Sequence, residues 1–334
     1  MSEPLPVGVV GCGRMGKLHA RVYSQMPSVR LVGIYDVDTE RAADVAEEYH
    51  TKAYTNLAEL AGDVAAVTLA VPTNFHLETA KPFLEKSVAC LIEKPLARNS
   101  AECRAIQSLA MEHHALVQVG HIERFNPIIR SMSRLEISPR FMEVTRISPL
   151  TFRSIDVGVV LDMMIHDIDI VLTLARSPVA KIDAVGVSVI GLVEDICNAR
   201  LTFANGCVAN LTASRLALKT ERKLRLFSPD SYVSLDYQKK YGIVARRSGN
   251  LDAIRTAVDK IRAGEIDDLS QLNYADLVSV EELKIDDTEP LRAELDSFIE
   301  AITQKRRPVV SVEDGLAAVD VAERIVAQIG QEKL

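Results

Sequence analysis

The sequence predicts an α/β protein in two parts: a doubly wound parallel sheet, then a domain whose strands pair largely antiparallel. Three observations carry this. Over the first 120 residues apolar strand-length runs alternate with amphipathic helix-length runs, and a glycine-rich turn joins the first strand to the first helix. Beyond residue 121, strand-like runs follow one another without helices between them. Alternation implies parallel strands with crossover helices, whereas consecutive strands joined by turns pair antiparallel. The 334 residues suffice for about two domains, expected at 1–121 and 122–334.

The first strand, "LPVGVV", runs into G-x-G-x-x-G at Gly11, Gly13 and Gly16, then into a helix with Leu18, Val22 and Met26 on one face. In a dinucleotide site Gly11 permits the tight turn, Gly13 lets a pyrophosphate approach the backbone, and Gly16 lets helix and strand pack closely. Arg14 and Met15 fall at the helix N-terminus, whose free N–H groups suit phosphate. A second strand, "VRLVGIYD", ends at Asp36, twenty residues beyond Gly16. An acid there accepts ribose hydroxyls and repels a 2′-phosphate, so the expected cofactor is NAD.

The alternation continues with "VAAVTLAV" (64–71), a helix from Asn74, "SVACLIE" (87–93), a helix over 100–114 and "ALVQVG" (115–120). Ligands on such sheets lie beyond the carboxyl ends of the strands, which singles out "VPTNFH" (71–76) and "EKPLA" (93–97). Pro72, Thr73, His76 and Glu93 are therefore cofactor-contact candidates, although Thr73 or Asn74 equally suits a helix cap. Lys94 precedes Pro95, which favours an extended backbone. A lysine aimed at the cofactor crevice polarises a substrate oxygen and also borders the cofactor.

Composition narrows the function classes. Asp and Glu outnumber Lys and Arg by 46 to 39 with no basic block, so nucleic acid is not the expected partner. The start lacks a basic segment before an apolar one, and no run reaches membrane-spanning length, so a cytoplasmic protein with no membrane partner is expected. Cys12, Cys90, Cys103, Cys197 and Cys207 are odd in number, widely spaced and never C-x-x-C, which predicts neither disulfides nor a metal site.

The run "GVVLDMMIHDIDIV" (158–171) sets three aspartates and a histidine in apolar surroundings. With no proline over 157–174 it reads as one helix, placing Asp162 and His166 at i and i+4 and Asp169 on the same side. A carboxylate beside an imidazole raises its basicity, as a general base needs; a buried pair that merely satisfies itself is the alternative. Further on come the strand-like runs "KIDAVGVSVI", "ICNARLTFA", "CVANLTASRL" and "RKLRLFS", and residues 246–283 read as a mixed helical insertion.

"VGVVGCGRMGKLH", "VPTNFH", "EKPLA" and the closing stretch 289–325 resemble the glucose-fructose oxidoreductase / inositol dehydrogenase family (Gfo/Idh/MocA) over nearly the whole chain. The resemblance implies a Rossmann domain followed by an α/β domain with a large, mostly antiparallel open sheet. That sheet is commonly used for subunit pairing, so a homodimer or homotetramer is expected. It also implies NAD-dependent oxidation of a sugar, polyol or nucleotide-linked sugar. The D-x-x-x-H spacing resembles the family's catalytic pair, which makes Lys94, Asp162 and His166 the catalytic candidates. His166 would take the hydroxyl proton, Asp162 would stabilise the imidazolium and Lys94 the alkoxide, with Asp167 and Asp169 in interdomain hydrogen bonds. "DVGVVLD" departs from the family in lacking a glycine pair before the aspartate.

"GHIERFNP" (120–127) and "DVGVVLDMMIHDID" (156–169) look most like the branch that oxidises the 3-hydroxyl of UDP-N-acetylglucosamine to a ketone for a partner aminotransferase. A pyrophosphate calls for arginine forks, so Arg124 and Arg153 are substrate candidates. His121 and Asn126 are candidates for sugar hydroxyls, Asn126 being equally suited to cap a helix at Pro127. Two alternatives stand beside this: a dehydrogenase of a free polyol such as myo-inositol, and a non-catalytic NAD(H)-sensing regulator, against which the intact Lys94, Asp162 and His166 speak.

Overall fold

The computed structural model describes residues 3–132, 135–151, 156–247, 251–265 and 278–331. Strands β1 (Leu5–Val10), β2 (Val29–Tyr35), β3 (Lys52–Tyr54), β4 (Ala66–Leu69), β5 (Ala89–Glu93) and β6 (Val117–Gly120) form one sheet in the order β3-β2-β1-β4-β5-β6. Every neighbouring pair is parallel. The order reverses between β1 and β4, where a doubly wound sheet opens a crevice for ligand. β4, β5 and β6 are buried along their whole lengths, as a sheet covered on both faces requires.

The helices between these strands are α1 (Arg14–Ser24), α2 (Thr39–Glu48), α3 (Leu57–Asp63), α4 (His76–Leu84) and α5 (Ser100–Glu112). Asp38, Asn56 and Asn99 each accept a backbone N–H at the start of α2, α3 and α5, satisfying donors that a first turn leaves open. α4 starts at His76, after a 3₁₀ turn over Thr73–Phe75, and no side chain caps either, so neither Thr73 nor Asn74 is the cap.

Contacts within the chain divide it differently from a cut at residue 121. One compact unit holds Met1–Asn126, Asp156–Ile170 and Asp287–Leu334; the other holds Pro127–Ile155 and Val171–Asp286. The closing helices, α9 (Pro290–Thr303) and α10 (Val312–Gln331), belong to the first unit. Leu291, Leu295, Phe298 and Ile299 of α9 share a core with Val7, Val9, Val22, Tyr23, Ile34 and Leu91. Full burial of Leu295 and Phe298 stabilises this arrangement by roughly 1.5–3 kcal/mol each. Ser311, just before α10, adds an antiparallel bridge to Gln118 at the β6 edge.

In the second unit β7 (Phe141–Ile147), β8 (Val179–Val187), β9 (Ile196–Phe203), β10 (Val208–Ser214), β11 (Glu221–Phe227), β12 (Ser231–Asp236), β13 (Tyr241–Arg247) and β14 (Val278–Glu282) make an eight-stranded sheet ordered β14-β13-β12-β11-β7-β10-β9-β8. All neighbours are antiparallel except β7 and β10. Buried and less buried positions alternate, with Cys197, Ala199, Leu201 and Phe203 of β9 facing Ala209, Leu211 and Ala213 of β10 on the covered side. Short helices α6 (Pro127–Ser131) and α8 (Leu251–Arg262) also lie in this unit. The stretch read as a helical insertion thus ends β13, forms α8 and supplies the edge strand β14. β14 is short and charged, as edge strands commonly are.

The helix expected over 157–174 is not uniformly α. Val160–Met164 is wound as a π turn, and α7 (Ile165–Ala175) follows. Insertions of this kind recur at functional sites because they re-aim side chains and carbonyls. Among the described residues no helix is long and apolar enough to cross a membrane.

Candidate active site

The glycine turn is built for close approach. Gly11 has φ +91°, a region that side chains resist, and a Cβ at Gly16 would fall 1.6 Å from Gly11 O. A Cβ at Gly13 would meet nothing within 4 Å. Gly13 therefore faces open space directly before α1, where Arg14 is exposed and Met15 half-buried. Free N–H groups at a helix start of this kind suit a phosphate. Asp36, at the end of β2, accepts Cys12 N–H at 2.5 Å and Asp38 N–H at 2.9 Å, with Arg41 Nη1 3.8 Å away. Two amides fix the carboxylate beside the turn, and its remaining lone pairs suit ribose hydroxyls. The residues present fit NAD.

Beyond β4, Pro72 is exposed and Thr73 half-buried on the loop that leaves the carboxyl end of the strand. His76 is not: it is buried, with Nδ1 3.1 Å from Leu96 O and Nε2 3.0 Å from Val71 O. Burial pushes its imidazole pKa down, although both carbonyls act the other way. His76 ties the loop after β4 to the loop after β5, so it shapes the crevice and does not line it. Glu93 is likewise buried and turned inward, its Oε1 3.0 Å from His19 Nε2 and its Oε2 accepting Lys94 N–H at 3.3 Å.

Lys94 reaches the π turn. Its Nζ donates to Asp162 O at 2.8 Å and lies 3.7 Å from Asp162 Oδ1. The two expected catalytic residues from separate elements thus meet at the carboxyl edge of the sheet. His166 follows on α7, its ring 6.4 Å from that of His121 and edge-on to it. The Asp162 carboxylate lies against the lysine, on a π turn that directly precedes the helix of His166.

Two substrate-side expectations change with the structure. His121 is fully buried, so it cannot touch a sugar hydroxyl, and burial pushes its pKa down toward a neutral ring. Arg124 gives Nε to Asp169 Oδ2 and Nη2 to Asp169 Oδ1, both at 2.7 Å, with Asp314 Oδ1 3.6 Å from Nη2. A fork taken by a carboxylate is not offered to a pyrophosphate. Asp169 makes this clamp inside the first unit. The Asn126 amide donates to Glu123 Oε2 at 3.0 Å. Arg153 lies outside the described residues. The sequence reading missed His19 and Glu294, whose signal was present: each is a polar residue on the apolar stripe of its helix, Gly16-His19-Ala20-Tyr23 and Leu291-Glu294-Leu295-Phe298.

Comparison with known proteins agrees with this geometry. Residues 5–121 match an oxidoreductase family with an NAD-binding Rossmann fold, and residues 146–229 match the GFO/IDH/MocA C-terminal domain. A UDP-N-acetylglucosamine 3-dehydrogenase of Acidithiobacillus ferrooxidans is 37% identical over 231 residues, 69% of this chain and 73% of that protein. An inositol 2-dehydrogenase of Rhizobium meliloti is 25% identical over 339 residues, 98% of this chain and 97% of that protein. The solved structure of the Acidithiobacillus protein superposes with a TM-score of 0.88 at 29% identity, covering 99% of both chains. A levoglucosan dehydrogenase complexed with NADH shares the fold, with a TM-score of 0.83 at 20% identity over 99% of this chain and 98% of that one.

Proposed function

The chain belongs to the Gfo/Idh/MocA oxidoreductase family and is an NAD-dependent dehydrogenase of CH–OH groups, and we propose that it oxidises the 3-hydroxyl of UDP-N-acetylglucosamine to a 3-keto sugar. The observation that carries the reading is the meeting of Lys94 Nζ with Asp162 at the carboxyl edge of the sheet, beside a turn shaped for a dinucleotide. The likeness to the Acidithiobacillus enzyme supports the choice of sugar.

Bound NAD supplies the hydride acceptor. Gly11, Gly13, Gly16 and the start of α1 would hold its phosphates, Asp36 its ribose, and Pro72 and Thr73 would border it. On the substrate, His166 takes the hydroxyl proton as general base. Lys94 stabilises the alkoxide oxygen, and Asp162 keeps that ammonium in place through its carbonyl and carboxylate. The ketone product suits an aminotransferase as the next enzyme.

A second reading, oxidation of a free polyol such as myo-inositol, is favoured by one observation: Arg124, expected to meet a pyrophosphate, is held by Asp169. NADH formation followed by absorbance with UDP-N-acetylglucosamine, N-acetylglucosamine and myo-inositol, each with a ketone trap, separates the readings. Turnover of the UDP-sugar alone, lost in His166→Ala and Lys94→Ala, is the expected outcome. Turnover of inositol in its place overturns the substrate, and binding of NAD without turnover of any of the three overturns all three substrates in favour of another nucleotide sugar or a sensor.

A further inference from the structure

The first unit buries a set of polar side chains that the proposed chemistry does not use. His19 on α1 has no exposed surface, and its Nε2–H is directed at Glu93 Oε1, 3.0 Å away. The second oxygen of Glu93 accepts the backbone N–H of the next residue, Lys94, at 3.3 Å. Space for this carboxylate comes from Gly120, the partner of Glu93 across β5 and β6. A Cβ there would lie 3.1 Å from Glu93 Cα and 3.2 Å from both its Cδ and its Oε2. Glu294 on α9 is fully buried too, and neither of its carboxyl oxygens has a partner among the described residues.

The bond to the Lys94 amide fixes the peptide plane from which the lysine side chain departs. We propose that the His19–Glu93 pair is a positioning device, tying the helix that seats the cofactor phosphates to the main chain of Lys94 and so setting where Lys94 Nζ stands. This rests on the reading of Lys94 as the group that stabilises the alkoxide. His19 and Glu93 act through Lys94 and touch no substrate.

Electrostatics agree with the geometry. Burial alone pushes the Glu93 carboxyl up, but the hydrogen bond and charge of His19, then Lys94, bring it below the usual carboxylate range. Glu294 has no such partner, and burial followed by the charge of Glu93 pushes it well up. His76 and His121 also lie in the field of Glu93.

Four variants test the proposal beside Lys94→Ala, each with a thermal melt to confirm folding. His19→Leu removes the donor, and His19→Gln returns an amide N–H near the place of Nε2. Gly120→Ala crowds Glu93 while leaving every functional group intact, and Glu294→Gln copies a protonated acid. The assay is NADH formation with UDP-N-acetylglucosamine across pH, with NADH affinity read from its fluorescence. His19→Leu and Gly120→Ala are expected to lower kcat roughly 10–100-fold, the effect of a displaced catalytic group. Sugar KM and NADH affinity should stay within about threefold. His19→Gln recovers most of the loss, and Glu294→Gln matches the unaltered protein. In His19→Leu the acid limb of the kcat profile moves to higher pH, since Glu93 then ionises later; a packing defect would not move it. If Lys94→Ala is inactive while His19→Leu and Gly120→Ala keep kcat within about twofold, the positioning role is overturned and the active site stands. Unchanged kcat in Lys94→Ala overturns both. A loss in His19→Leu that glutamine does not recover, with no shift of the acid limb, reduces the pair to packing.

Discussion

Replacing Arg124 with leucine removes the fork that holds Asp169. The ion pair is bidentate, with both bonds at 2.7 Å and side chains only 10% and 1% exposed. An exposed pair would contribute about 0–1 kcal/mol, but this one is dry. Each hydrogen bond to a charged group contributes about 1.5–3 kcal/mol, and breaking a buried pair from one side costs about 3–5 kcal/mol. The two figures agree. A change of this size lowers a melting midpoint by on the order of 10 °C, measured by circular dichroism. Asp314, 3.6 Å from the same guanidinium, adds to the loss. Because the pair anchors α7, which carries His166, kcat should fall as well. The double variant Arg124→Leu/Asp169→Leu removes both charges and should recover at least about half of the stability lost in the single variant. A single variant within about 1 kcal/mol of the unaltered protein, or a double variant whose loss equals the sum of the singles, would refute the clamp.

Further outcomes follow from the same geometry. Gly13→Ala, facing open space, should melt within about 2 °C of the unaltered protein yet bind NADH at least about tenfold more weakly, since the methyl stands where phosphate must approach. Gly16→Ala, driven against Gly11 O, should fail to fold or to bind in the same titration. Asp36→Asn keeps an acceptor for the Cys12 amide but loses the charge beside Arg41; kinetics with both cofactors should show the preference for NAD over NADP fall about tenfold. Glu294 has a folded pKa raised above its ordinary 4.5. The folded state then holds a proton the unfolded state has released, so its contribution is full below pH 4.5 and declines as pH rises toward the folded pKa. Glu294→Gln should therefore gain relative stability by about 1.4 kcal/mol per pH unit over that window, read from urea unfolding at several pH values.

The glycine turn, Asp36 and the two strand-end loops were legible in the sequence because their chemistry is local: a turn, an acid at a fixed offset and a lysine before a proline define themselves within a few residues. Partners distant in sequence were not. His19 and Glu93 are 74 positions apart, and Arg124 and Asp169 are 45 apart. Nothing within "GHIERFNP" says that its arginine will meet a carboxylate before it meets a phosphate. His76 and His121 looked like ligand contacts because they follow strand ends, but only the packing around them shows that each ring is enclosed. The return of α9 to the first sheet escaped notice because its apolar stripe fits any sheet face. Glu294 on that stripe was the available clue. The π turn has no marker in "VVLDMM".

The most direct measurement uses UDP-N-acetylglucosamine carrying deuterium at C3, incubated with the protein and NAD. Oxidation at that carbon requires the reduced cofactor to carry the deuterium by mass spectrometry, with no transfer in His166→Ala. NADH formed from this sugar without deuterium, or reduction of NAD by myo-inositol with none from the UDP-sugar, would contradict it.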